Sequence, residues 1–282
     1  ALVATTTASN NTGVGYQALN ANTTGQNNVA MGTSALTAHT EGTANTAVGA
    51  SAGAALTTGA YNTAVGGYAL DASTGAAFNV AVGYLALSAD TSGTRNVAVG
   101  SYAHDACTIG RYNVAMGHDA LTTDVDGDYT VAIGYEALKT QESDGANQSV
   151  MNVAVGAGAG QLLTTGIKNT FVGGQCGQAG TITGAENTGV GYYALYTLAG
   201  GAYNTGIGKA ALYLVAGGDY NTAVGFGAGA AVTSGDNNIF LGKDAGASGS
   251  PGGAISTGSN EIVLGDENIT EAHIQVDWTV AS

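Results

Sequence analysis

Apolar and polar positions along the chain follow one short phrase. An asparagine opens it, three residues of alternating size follow, and a glycine closes it, as in Asn62-Thr63-Ala64-Val65-Gly66. The same phrase begins at Asn79, Asn96 and Asn113 and closes at Gly83, Gly100 and Gly117. Fifteen such closing glycines run from Gly15 to Gly265, and eleven of the fourteen intervals between them are 17 residues long, the others being 22, 18 and 23. A fixed period this short, sustained almost end to end, predicts a solenoid in which each repeat is one coil.

Within a phrase the first and third residues after the asparagine are β-branched or bulky (Val97 and Val99, Val114 and Met116), and the middle one is small (Ala98, Ala115). Residues two apart share a face of a strand. Each phrase therefore predicts a short strand with one large apolar face and one nearly bare face. The reading places the large face inside the coil and leaves the Ala face for the close approach of another chain. Only Phe171, Phe240 and Val263 are bulky at the middle position. The closing glycine suits a positive φ or a tight corner. The asparagine tolerates a left-handed turn, and its amide can bond the next coil, so a stacked row satisfies itself. Thr130 and Glu261 interrupt that row. The looser second half carries Ala then Leu three and four residues after the glycine (Ala86 and Leu87, Ala120 and Leu121) and a second glycine ten residues after it. It is read as a second short strand with a second turn.

The expected architecture is all-β: a parallel β-roll or β-solenoid of about fifteen 17-residue coils, elongated, and a parallel homotrimer. At about 4.8 Å per coil it is a rod on the order of 70 Å long. The repeat shaft spans residues 1–265, with insertions at 140–151 and 247–259, the latter read as a flexible loop around Pro251. Residues 266–282 form a closing segment in which Ile274, Val276, Trp278 and Val280 alternate with polar residues, as in a half-buried strand. Ala1 to Thr7 carry neither an initiator Met nor a basic signal-peptide start. The chain therefore reads as processed or as a fragment.

Composition narrows the function. Gly 47 against Pro 1 is extreme, yet there is no collagen period. A thin roll of Val, Ala and Gly buries little per coil, which calls for oligomerisation. The net charge is −14 with six basic residues spread singly, which excludes a nucleic-acid footprint and disfavours an anionic membrane. No stretch approaches a transmembrane span. Cys107 and Cys176 lie four coils apart, roughly 19 Å, and are expected to stay unpaired. His39, His104, His118 and His273 have no ligand-like spacing and are read as surface or turn histidines. Asp124, Asp126 and Asp128 partly match a calcium loop, but the glycine falls one place early and Tyr135 stands where a Glu is needed. Thr and Val exchange at the strand's first position, which is natural for a buried β-branched site and odd for an ice-facing one. No nucleophile, base or carboxylate constellation recurs, so neither an enzyme site nor a cofactor is expected in the repeats.

Two resemblances follow from the residues. The phrases NVAVG (Asn79–Gly83), NVAMG (Asn113–Gly117) and TVAIGYEAL (Thr130–Leu138) resemble the head repeats of trimeric autotransporter adhesins, which implies a β-roll joined as a parallel homotrimer. The segment NEIVLGDENITEAHIQVDWTVAS (Asn260–Ser282) resembles the stretch that leads, in bacteriophage tail fibres and tailspikes, into an endosialidase-type intramolecular chaperone. That resemblance implies trimerisation driven by a chaperone that then cuts itself off, with Ser282 as the candidate autocleavage residue. The implied protein is a non-catalytic tail-fibre shaft for host attachment, located in the virion, whose partners are its own copies and a host surface glycan or protein. The alternative is a bacterial cell-surface trimeric adhesin or an extracellular filament subunit.

Overall fold

The computed structural model describes residues 7–143, 145, 148–250 and 252–271. It is a parallel β-solenoid. Fifteen strands of three residues each, β1 (Thr12–Val14) to β15 (Ile262–Leu264), form one sheet in strict chain order. Every neighbouring pair is parallel and in register; between β6 (Val97–Val99) and β7 (Val114–Met116), Ala98 lies beside Ala115. Fourteen spacings of about 4.8 Å make the sheet roughly 67 Å long. The closing glycines hold φ between +130° and +140° from Gly15 to Gly225, and a Cβ on Gly100 would collide with the carbonyl of Gly117 in the next coil. A stacked column of backbone corners leaves no room for a side chain there.

The faces of the strand are the reverse of the sequence reading. Ala98 and Ala115 are fully buried inside the coil, while the flanking Val97, Val99 and Val114 are half-buried and Met116 is exposed, all on the outer surface. The reason is the opening asparagine, which shares a face with the small residue two places on. Each asparagine turns inward and spans the coil. Asn204 Nδ2 donates to the carbonyl of Gly218 at 2.7 Å, and its Oδ1 accepts from the backbone N–H of Asn221 at 3.0 Å. The lumen is one amide wide, so only Ala or Gly fits beside it, and the inward Leu of the turn half fills the rest (Leu87, Leu121 and Leu138 are fully buried).

Phe171 and Phe240 are the exceptions that show the volume rule. In their coils the inward Leu position is glycine. A Cβ on Gly177 would stand 2.8 Å from the Phe171 ring, and one on Gly160 would stand 3.0 Å from it. Phe240 has the same arrangement with Gly229 and Gly246. Each Phe ring occupies space beside the strand that Leu side chains fill in other coils, and the two glycines leave room for it.

The second half of each coil is not a strand. Its residues are turns, because positive φ at two positions curls the backbone: Tyr102 (φ 59) and His104 (φ 50) in one coil, Glu136 (φ 55) and Leu138 (φ 50) in another. Only isolated bridges such as Ala77↔Thr94 are extended. Coil-to-coil hydrogen bonds still run through it, for example Leu87 N–H to Ala103 O at 3.1 Å. A threonine column from Thr23 to Thr108 adds hydroxyls that donate to the next coil's carbonyls, as Thr91 Oγ1 does to Thr108 O at 2.9 Å. The left-handed residue at the strand's entry is the one before the asparagine (Tyr61, Arg95, Tyr112, all φ 60) and not the asparagine itself. The second insertion feeds the core, since Ile255 is buried and Ser256 O accepts from Thr233; Pro251 lies outside the described residues.

Two substitutions test the packing. Ala98→Leu is expected to lower the unfolding free energy by about 1–3 kcal/mol, because the added carbons have no lumen to occupy. Phe171→Ala should cost about 3–5 kcal/mol alone. Gly177→Leu alone should clash with Phe171. The double variant should lose less than the sum of the two, as measured by a double-mutant cycle in denaturant.

Candidate assembly face

The outward positions of the strands form a flat two-column surface along the whole sheet. Of its thirty positions, two per strand, seven are Thr and twenty-three are Val, Ile, Leu or Met. Exposure reaches 44% at Met31, 40% at Met116, 41% at Ile207 and 57% at Ile262. A single chain leaves this face unpaired, and at about 67 Å by ~10 Å it presents roughly 700 Å². That exceeds the largest apolar patch usual on a monomer, which is about 300–600 Å². The Thr/Val exchange therefore occurs on the outer surface and not in a buried row, and its apolar majority suits a protein contact better than ice.

Aromatic columns border the face on both sides. Before the asparagines, Tyr61 stacks on Phe78 (5.1 Å between centroids, 6°), Arg95 lies 5.4 Å from the rings of both Phe78 and Tyr112, and Tyr112 stacks on Tyr129 at 4.9 Å. After the glycines, Tyr84, Tyr102, His118 and Tyr135 run in sequence at 5.7–5.9 Å. The period of one coil matches the stacking distance of a ring, which is why these exposed rings order one another.

Inside the coil a second column, seven residues after each glycine, turns polar over part of the rod. Asn22, His39, Ser73, Asp90, Asp124 and Gln141 are all fully buried. Asp90 accepts from the N–H of Gly93 at 2.7 Å, and Asp124 accepts from the N–H of Gly127 at 3.3 Å. Burial pushes Asp90 up to about 7 and Asp124 up to about 6. Gln141 repairs the asparagine row where Thr130 interrupts it: its amide donates to Thr130 Oγ1 and Asp124 Oδ2, and its oxygen accepts from Asn152 Nδ2 at 3.0 Å.

The candidate residues fall into place as follows. Asn62, Asn79, Asn96 and Asn113 form the inward row, and Gly66, Gly83, Gly100 and Gly117 form the corner column. Asp124, Asp126 and Asp128 do not converge: Asp124 faces the lumen, Asp126 takes the Ser143 hydroxyl, and Asp128 accepts the N–H of Arg111 at 2.7 Å. Among the described residues no group of three or more His, Cys, Asp or Glu is placed to hold a metal ion. Cys107 and Cys176 are buried and free, and burial pushes the Cys176 thiol up to about 12. The histidine reading needs correction. His39 and His104 are fully buried, because they occupy inward positions filled by Leu in other coils. His273, Trp278 and Ser282 lie outside the described residues.

The fold defines the chain as a parallel β-solenoid repeat protein. Comparison with protein families, with curated proteins and with solved structures finds no match. Among the described residues no helix is long and apolar enough to cross a membrane.

The buried polar groups predict two outcomes. The folded chain holds a proton on Asp90 up to about pH 7, whereas the unfolded chain releases it near 3.8. The stability this supplies is complete below about pH 4 and is lost as pH rises through 7. His39 and His104, neutral when folded, act in the opposite sense below 6.5. Asp90→Asn isolates the first effect: its stability relative to wild type should rise steadily from pH 4 to pH 8 in denaturant titrations. Neither ring nitrogen of His104 has a partner among the described residues, and burial drives its pKa down to about 3. His104→Leu should therefore stabilise the chain by about 1–3 kcal/mol at pH 8.

Proposed function

We propose that the chain is a non-catalytic fibre subunit that assembles with two other copies through the outward sheet face. The product is the shaft of a bacteriophage tail fibre that serves host attachment. The observation that carries the reading is the apolar face itself. It runs unbroken for fifteen strands, its register is uniform, and its roughly 700 Å² is more apolar surface than a monomer usually exposes. A parallel sheet bare on one side is unusual, since such sheets are ordinarily covered on both faces. Like chains with like periods cover one another in register, so a second copy suits the face. The number three comes from the resemblance of the NVAVG phrases to trimeric heads, and the virion location comes from the resemblance of Asn260–Ser282 to fibre ends. The same strand phrases support a second reading, a trimeric adhesin or extracellular filament at a bacterial surface.

Sedimentation tests the assembly. The native mass should be three times the chain mass of 27.5 kDa. Paired substitutions Val82→Asp and Val99→Asp place carboxylates on the outer face without touching the lumen. They should reduce the mass to that of one chain while the far-UV spectrum is kept. A wild-type chain that is a monodisperse monomer contradicts the reading.

A further inference from the structure

The aromatic column that follows the glycines is broken at several coils, and the break after Tyr135 is a cleft. Tyr135 stacks one face on His118 at 5.9 Å, and the next two coils carry Ala157 and Gly174 where rings stand elsewhere. Tyr192 then resumes the column and leans back over Gly174; a Cβ there would lie 3.3 Å from its ring. The cleft is about half open to solvent and holds about 260 Å³, lined at its ends by Tyr135 and Tyr192. This is just under the ~300 Å³ at which pockets for drug-sized ligands begin. No strand residue lines it, so it lies beside the sheet face and not on it.

One wall is a chain of amides. Gln178 Nε2 donates to Gln161 Oε1 at 2.7 Å, Gln161 donates on to Glu136, and Tyr192 Oη donates to Gln175 Oε1 at 3.4 Å. Two of the chain's eight glutamines, Gln175 and Gln178, line the cleft, and Gln161 backs Gln178. Glu136 is already paired with Lys139 at 2.7 Å, and Lys139 also holds Asp119 at 3.0 Å. The nearby charges are thus spent on each other. The cleft lies between the 22-residue and 18-residue intervals, in the coils where Phe171 has moved into the lumen and Gly160 and Gly177 have replaced Leu.

We infer that this cleft binds a neutral saccharide of one or two rings. The electron-rich faces of Tyr135 and Tyr192 suit the weakly positive C–H face of a pyranose. Primary amides both donate and accept, as a ring of hydroxyls requires. An apolar ligand would strip water from the amides without replacing its hydrogen bonds. An anion meets a net charge of −14 and no cation that is not already engaged by carboxylates at this wall. The inference deepens the attachment reading and rests on it for its biological sense, but the binding itself is measured apart from assembly.

Saturation-transfer NMR on the assembled wild-type chain, with maltose, lactose and chitobiose as probes and choline and glucose 6-phosphate as charged comparators, tests it. At least one neutral disaccharide should receive saturation at its ring protons. Its affinity should fall at least tenfold in Ala157→Tyr, which fills the gap with the ring the column carries elsewhere. A second variant, Gln178→Ala, should show the same loss. Melting temperature and native mass should not change in either variant. Binding of none of the three sugars overturns the inference, as does sugar binding indifferent to Ala157→Tyr or a cleft that takes only a charged comparator. A trimer that binds no sugar removes the cleft and leaves the fibre reading standing; a monomer whose sugar binding is lost in both variants does the reverse.

Discussion

One buried amide per coil sets the dimensions of this molecule. The asparagine that opens nearly every strand reaches across the lumen to a backbone carbonyl, usually a glycine's, and accepts the N–H of the residue that opens the next strand. The row runs from Asn11 to Glu261 with a single relay, at Gln141. Each link satisfies backbone groups that would otherwise be buried without partners, and these are expensive to leave unmade. The amide also fixes how wide the coil can be. Everything else in the lumen is a volume that must fit beside it: Ala on the strand, Leu on the turn, or Phe with two glycines.

The apolar surface of the strand cannot be used inside such a narrow coil, so it is turned outward. A thin solenoid of this kind has a core for each coil but too little to bury its β-branched residues as well. The coil period of about 4.8 Å then acts on every exposed column at once. It stacks Tyr112 on Tyr129, lines up the Thr91 hydroxyl with the next coil, and repeats the Val/Thr face without a break. A break in a column is therefore informative, because the lattice of the rod makes any local departure visible. The cleft between Tyr135 and Tyr192 and the polar stretch from Asp90 to Gln141 are such departures.

The period, the corner glycines and the parallel all-β class were legible in the sequence because they are forced by backbone geometry, which leaves a mark at every repeat. Which face points inward is not legible in the alternation alone. Alternation of Val-Ala-Val is the same whether Val or Ala faces the lumen, and an apolar outer face looks like a core. The deciding signal was present in parity: Asn96 and Ala98 are two apart, so a buried asparagine row carries the alanines in with it. The exchange of Phe171 with Gly160 and Gly177 was a second signal, spread over three coils. The turn half misled because Ala-Leu spacing is compatible with a strand, whereas Tyr102 and His104 adopt left-handed backbone that only stacking enforces. His39 and His104 looked like turn residues for want of knowing that their positions face inward. The cleft left only the substitution of Ala157 and Gly174 in a column whose existence depends on the stacking.

The most direct measurement is equilibrium unfolding of Asn204→Ala. Removal of this side chain strands the N–H of Asn221 and the carbonyl of Gly218 inside the coil, so the account predicts a loss of about 2–5 kcal/mol. Val97→Ala on the outer face of the same rod, measured on disassembled chains, should cost less than 1 kcal/mol. An Asn204→Ala chain within about 0.5 kcal/mol of wild type would contradict the claim that the asparagine row holds the coils together.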